Sequence, residues 1–167
     1  MANRSYIYAS DIVPARGADP KKRRMIGISE WNYDIPVAYK LLASGSPQTA
    51  ISSIWKLDQK IAIVGDFDAG ESRLMQFLDQ LPEPQIRSLR EEAKLFLSSP
   101  QHRRKYFVLE CGEIFDMQGG DLALQNDQLL KEIEHFDPPA PQSEKEIDAL
   151  GLGNWSDVFY FDINDAE

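Results

Sequence analysis

With 27 acidic against 18 basic residues, this chain of 167 carries a formal charge of −9, and at that length one domain can bury about 70% of its unfolded surface. A lone cysteine, Cys111, and two histidines leave no internal disulfide and no structural zinc set, while the acidic balance argues against binding nucleic acid, which needs a basic face. No apolar run approaches the roughly 18 residues of a membrane span, and the first ten residues carry no long apolar segment behind their charge, so a reducing cytoplasm is the expected setting.

Ser5 to Ala9 alternates aromatic and aliphatic residues and predicts a first strand. Asp11 to Arg24 holds Pro14, Gly17 and Pro20 and ends in Lys21, Lys22, Arg23 and Arg24, a composition that suits an exposed loop. Met25 to Ser29 predicts a second strand, which leads into Glu30, Trp31, Asn32, Tyr33 and Asp34. Large aromatics beside carboxylates offer apolar area with a polar tip, and Trp31, Tyr33 and Asp34 are therefore candidate partner-binding residues. They serve equally well to close the edge of a core. Helical spacing begins after Pro36 and ends at Gly45, and a second short helix is expected from Pro47, capped by Ser46 with Ala50, Ile51, Ile54 and Trp55 inward.

The chain is organised around Lys60 to Leu81. Ile61, Ala62, Ile63 and Val64 form a continuous apolar run, expected as an interior strand, and Gly65, Asp66, Asp68 and Gly70 supply turn chemistry. Leu74, Met75, Phe77, Leu78 and Leu81 then repeat at helical spacing. Asp66, Asp68 and Glu71 lie close together after a strand, and three oxygen donors there could hold a hard divalent cation such as magnesium, as a metal-dependent hydrolase or phosphotransferase would require. The commoner use of such acids is at a helix start, with Asp68 as the cap and Glu71 in the first turn.

Pro82 and Pro84 break the pattern before a helix over Gln85 to Ser99, whose apolar stripe opposes a face of mixed charge, making a helical hairpin. His102 stands in the basic stretch Gln101 to Lys105 without a local carboxylate or nucleophile, which predicts a surface residue. Tyr106 to Leu109 predicts a further apolar strand, continuing extended or as a turn through Phe115. Cys111 at its end reads as a small buried filler rather than a nucleophile. After Gly119 and Gly120 a helix is expected over Asp121 to Phe136, then an extended proline-rich link, then a short helix from Ser143 with a capping-box pattern at Glu146. Asn154 to Ile163 holds Trp155, Val158, Phe159, Tyr160 and Phe161 and predicts a strand that completes the sheet. Acids crowd this end, and Trp155, Asp157, Tyr160 and Asp162 join the candidate partner-binding set, aromatics as anchors and carboxylates as a steering rim.

The opening MANRSYIYASD, with MIGISEWNYDIPVAYKLL, resembles small uncharacterised bacterial proteins that begin with an Asn-Arg-Ser-Tyr element and carry an acidic, aromatic-rich body. In size and acidity the chain is also similar, as a class, to toxin-immunity proteins, and that resemblance implies a protein that binds and blocks a cognate toxin.

These readings converge on one α+β domain spanning 1–167, a mostly antiparallel sheet of about five strands packed with helices. No catalytic set is assembled in the sequence and no cofactor is expected. The leading expectation is a non-enzymatic module, immunity- or antitoxin-like, that docks on a basic protein partner and takes no nucleic acid or membrane. A metal-dependent enzyme using Asp66, Asp68 and Glu71, or a self-associating scaffold subunit, are the alternatives.

Overall fold

Residues 2–15 and 25–160 are described by the computed structural model. Strands β1 (Arg4–Ser10) and β2 (Ile26–Asn32) form an antiparallel pair, and helix α1 (Val37–Leu42) follows. A three-residue strand β3 (Gln48–Ala50) pairs with β4 (Ala62–Asp66). Helices α2 (Phe67–Asp79) and α3 (Pro84–Ser98) precede β5 (Tyr106–Glu110), and α4 (Gly112–Gln118), α5 (Leu122–Glu134) and α6 (Glu144–Asp148) complete the order. The sheet runs β2-β1-β5-β4-β3 and every pairing is antiparallel, which makes the fold α+β. β4 is interior, as its unbroken apolar run requires when both faces are covered.

The two faces are covered differently. Ile7, Ala9, Ile28, Ile63, Phe107 and Leu109 point toward the helices, and there they bury Tyr39, Leu42, Phe67, Leu74, Leu78, Ile86, Leu97 and Ile133 in one core. Phe67 stacks on Phe107 with ring centroids 4.1 Å apart. On the opposite face Tyr6, Tyr8, Ala62, Val64 and Val108 are buried chiefly by non-helical segments, which bring Val13, Ile54 and Phe159 onto them. Alternation along β1 explains the split, since successive side chains of a strand point to opposite faces.

The junction of β4 and α2 differs from the expected acidic turn. The strand runs to Asp66 and the helix begins at Phe67, so Gly70 is helical and no side chain caps the start. The reason is packing. A Cβ on Gly70 would stand 1.9 Å from the Leu42 carbonyl oxygen, so α2 approaches the end of α1 at a distance only glycine permits. The backbone pins the same spot, with Asp66 N donating to Gly45 O at 2.7 Å and Phe67 N to Lys105 O at 2.9 Å.

Three expectations of local structure are corrected. Gln48 to Ala50 is an edge strand rather than a helix, because β4 would otherwise present an unpaired ladder, and Ser52 Oγ then accepts from Ile54 N and Trp55 N to make a turn. Gly112 to Gln118 is helical rather than extended. The last segment is not a strand over its described residues, where it makes one ladder bridge, Trp155 to Ser29. By contrast the cap of the last helix is as the sequence predicts, with Ser143 accepting from Glu146 N, and the helix expected from Asp121 is capped by that residue, which accepts from Leu124 N. Lys21 to Arg24 and Asp162 lie outside the described residues.

Candidate functional site

At the end of the sheet where β1 begins and β2 and β5 finish, four separate segments meet around a cleft of about 290 Å³. Ala2, Asn3, Tyr6, Trp55, Glu113, Asp116 and Tyr160 line it. Tyr6 comes from β1, and its ring is buried on the face opposite the main core. Trp55 is placed by the Ser52 turn, and α4 packs against it so closely that a Cβ on Gly112 would meet the indole nitrogen at 2.1 Å. Glu113 and Asp116 stand three residues apart on α4, a spacing that sets two side chains on one helix face.

Glu113 is held in place by the chain itself. Its carboxylate accepts from the Tyr6 hydroxyl at 2.6 Å and from Arg4 N at 3.1 Å. Burial, and the Glu113 carboxylate beside it, hold the Tyr6 phenol well above its ordinary range, so it remains a donor. Tyr160 stands at the exposed side, with the Arg4 guanidinium 4.6 Å from its ring centroid and its backbone nitrogen donating to Glu30 at 3.3 Å.

Behind the cleft lies a buried carboxyl. Glu110, opposite Tyr6 on β5, is 2% exposed and accepts from Ser52 Oγ at 2.8 Å and from Ser53 N at 3.1 Å. Desolvation pushes its pKa up to about 8, partly opposed by those hydrogen bonds. Cys111 is buried next to it, and burial, with the Glu110 charge, raises the thiol further from reactivity.

The residues singled out from sequence are divided by the structure. Tyr33 is exposed, has a positive φ of 66°, and its backbone nitrogen donates to Asn3 O at 2.7 Å, which sets it beside the cleft. Asp34 is close by, its carbonyl accepting from Ser5 Oγ and its carboxylate from Ile35 N. Tyr160 lines the cleft itself. Trp31 and Trp155 belong elsewhere, half-buried against the helix-side core, with Trp155 stacked on Phe96 at 5.8 Å. Asp157 is exposed and approaches His102 Nε2 at 3.9 Å. The single surface expected from Trp155 through Asp162 is therefore split, because the segment wraps the edge of β2 and sends Trp155 to one face and Phe159 to the other.

His102 is likewise not a surface residue. It is buried, stacked on Phe96 at 3.8 Å, with Nδ1 at 2.8 Å from the Phe96 carbonyl.

Asp66, Asp68 and Glu71 do not converge as donors. Arg103 bonds both Asp68 and Glu71, at 2.8 Å to the latter, Lys94 reaches Glu71 at 3.5 Å, and Asp66 is exposed at the end of β4. Among the described residues no group of three His, Cys, Asp or Glu is placed to hold a metal ion. Cations of the chain already pair with Asp68 and Glu71. The Arg103 guanidinium also lies 4.8 Å from the centroid of Phe67, so this cluster fastens the loop before β5 to α2.

Fold and cleft together define a two-layer α+β domain with an acidic, aromatic recess at one end of its sheet. The chain belongs to the family described as Domain of unknown function (DUF7822), whose model matches residues 11–152. No curated protein and no solved structure matches it. The matched stretch contains Trp55, Glu113 and Asp116, and leaves Ala2, Asn3, Tyr6 and Tyr160 outside. Among the described residues no helix is long and apolar enough to cross a membrane.

Proposed function

We propose that this protein is a binding module that docks on a basic protein partner, most specifically as an immunity- or antitoxin-like inhibitor acting in the cytoplasm. The observation that carries this reading is the gathering of exposed Tyr33 and Tyr160 with Asp34, Glu113 and Asp116 at one end of the sheet, in a chain of net charge −9. Exposed aromatic rings supply contact area at a small loss of rotamer freedom, and a surrounding field of one sign speeds encounter with the opposite sign. Catalysis would need a nucleophile or base aligned with a polarising group. Around the cleft, Glu113 accepts from Tyr6 and Arg4, which orients it as an acceptor for a docking cation.

Calorimetric titration against the product of an adjacent gene tests the reading. A complex at micromolar concentration is expected, weakening as salt is raised and about tenfold weaker after Asp34→Lys with Asp116→Lys, since rim charges act through screened attraction. Absence of a complex at those concentrations counts against it.

A further inference from the structure

We infer that the cleft between Trp55, Tyr160 and α4 is a receptor for a single arginine side chain of the partner. This rests on the docking reading above and adds the chemical group that is held. At about 290 Å³ the cleft lies at the lower limit of small-molecule sites, which run from roughly 300 Å³ upward, so it admits the tip of a side chain rather than a nucleotide or flavin. Three aromatic rings form its walls, and ring faces attract cations. The two carboxylates in it, Glu113 and Asp116, exclude an anion.

A guanidinium suits this setting better than an ammonium. It is planar, stacks on aromatic faces, and presents five donors in a fork that matches a carboxylate. Glu113 is already oriented by Tyr6 and Arg4, one donor on each oxygen, which leaves each oxygen a further lone pair. Arg4 lays its guanidinium over the Tyr160 ring at 4.6 Å, so this ring takes a planar cation in the folded protein, and Tyr160 is still 61% exposed with that contact in place. A partner's guanidinium therefore has to use the ring surface that Arg4 does not cover.

The test titrates the intact protein with N-acetyl-arginine amide, N-acetyl-lysine amide and the uncharged N-acetyl-citrulline amide, following the Trp55 indole N–H resonance by NMR. A saturable shift is expected with the arginine derivative, at least fivefold tighter than with lysine and absent with citrulline. Tyr160→Leu and Asp116→Asn each alter an exposed residue, and each should weaken the arginine interaction at least fivefold while the remaining resonances stay in place. Equal responses to arginine and citrulline, lysine binding as tightly as arginine, or no saturable shift overturn the assignment. If a basic partner binds but the arginine derivative does not compete with it, the cleft assignment falls and the docking reading stands. If arginine saturates the cleft while no basic partner binds, the docking reading falls instead.

Discussion

The Ser52 hydroxyl donates to the buried Glu110 carboxyl at 2.8 Å, so a side chain on β5 fastens the segment that carries Trp55. Because desolvation raises the pKa of Glu110 from 4.5 to about 8, the folded chain keeps its proton over a range in which the unfolded chain has released it. The stabilisation is therefore complete below about pH 4.5 and is lost as pH rises toward 8, at a rate on the order of 1.4 kcal/mol per pH unit. Glu110→Gln removes the titration and keeps the shape. Urea unfolding from pH 5 to 9 should show the wild-type midpoint falling across this window and the variant changing much less; parallel curves would contradict the raised pKa.

Gly112 and Trp55 are in contact so close that any side chain at 112 must displace the indole. Gly112→Ala is expected to cost about 1 to 3 kcal/mol, as overpacking in a closed site does, and to move the Trp55 indole resonance. Gly119→Ala, where a Cβ meets nothing within 4 Å but φ is 81°, serves as a comparison: it should lose stability through backbone strain while leaving Trp55 unmoved.

Where α2 passes α1, Gly70→Ala drives a methyl group into the Leu42 carbonyl. A loss of about 2 kcal/mol or more is expected in chemical denaturation despite the better helix propensity of alanine. Ser72→Ala, exposed on the same helix, should stay within about 0.5 kcal/mol of the wild type. If both substitutions stabilise alike, the close approach of the two helices is wrong.

Arg103 joins Asp68, the buried Glu71 and the face of Phe67. Arg103→Met strands the Glu71 carboxylate beside Lys94 alone and should cost about 2 kcal/mol. Adding Glu71→Gln to it should recover a good part of that loss, because a neutral buried group no longer needs the missing charge. Urea midpoints for the two single variants and the double variant give the coupling, and simple additivity would show that the pair does not interact.

Much of this architecture was legible from local patterning. The apolar run Ile61 to Val64 signals an interior strand and the stripe from Leu74 a one-sided helix, because in both cases burial demands the periodicity that the residues display. Ser143 marks a helix start for a similarly local reason, a side-chain acceptor three residues ahead of a free N–H, and Asp121 does the same in the structure. What sequence could not convey is decided by distant partners. Gln48 to Ala50 becomes a strand only because Ala62 to Val64 lies beside it, and three residues carry too little pattern to announce that. His102, surrounded by Gln101, Arg103 and Arg104, has the neighbours of a surface residue and is buried by Phe96 from another element.

Site residues follow the same division. Tyr33, Asp34 and Tyr160 attract attention because aromatic and acidic residues adjoin in the sequence. Tyr6, Trp55, Glu113 and Asp116 do not, since their neighbourhood exists only once β1, the Ser52 turn and α4 are brought together. The proton-holding role of Glu110 is hidden too. A glutamate at the end of a predicted strand has the sequence signature of an exposed residue, and only the fold covers it.

The segment from Asn154 to Tyr160 crosses the outer side of β2, with Ser156 N bonded to Ile28 O at 3.0 Å and Asn154 Nδ2 to Glu30 O at 3.1 Å. At the other margin β3 is only three residues long. Neither border of the sheet, among the described residues, leaves a long open ladder for a second copy to extend, which is the usual route to cross-β fibrils. Concentrated solutions are therefore expected to remain free of amyloid-type deposits, and any stable dimer must form through side chains rather than through a shared sheet.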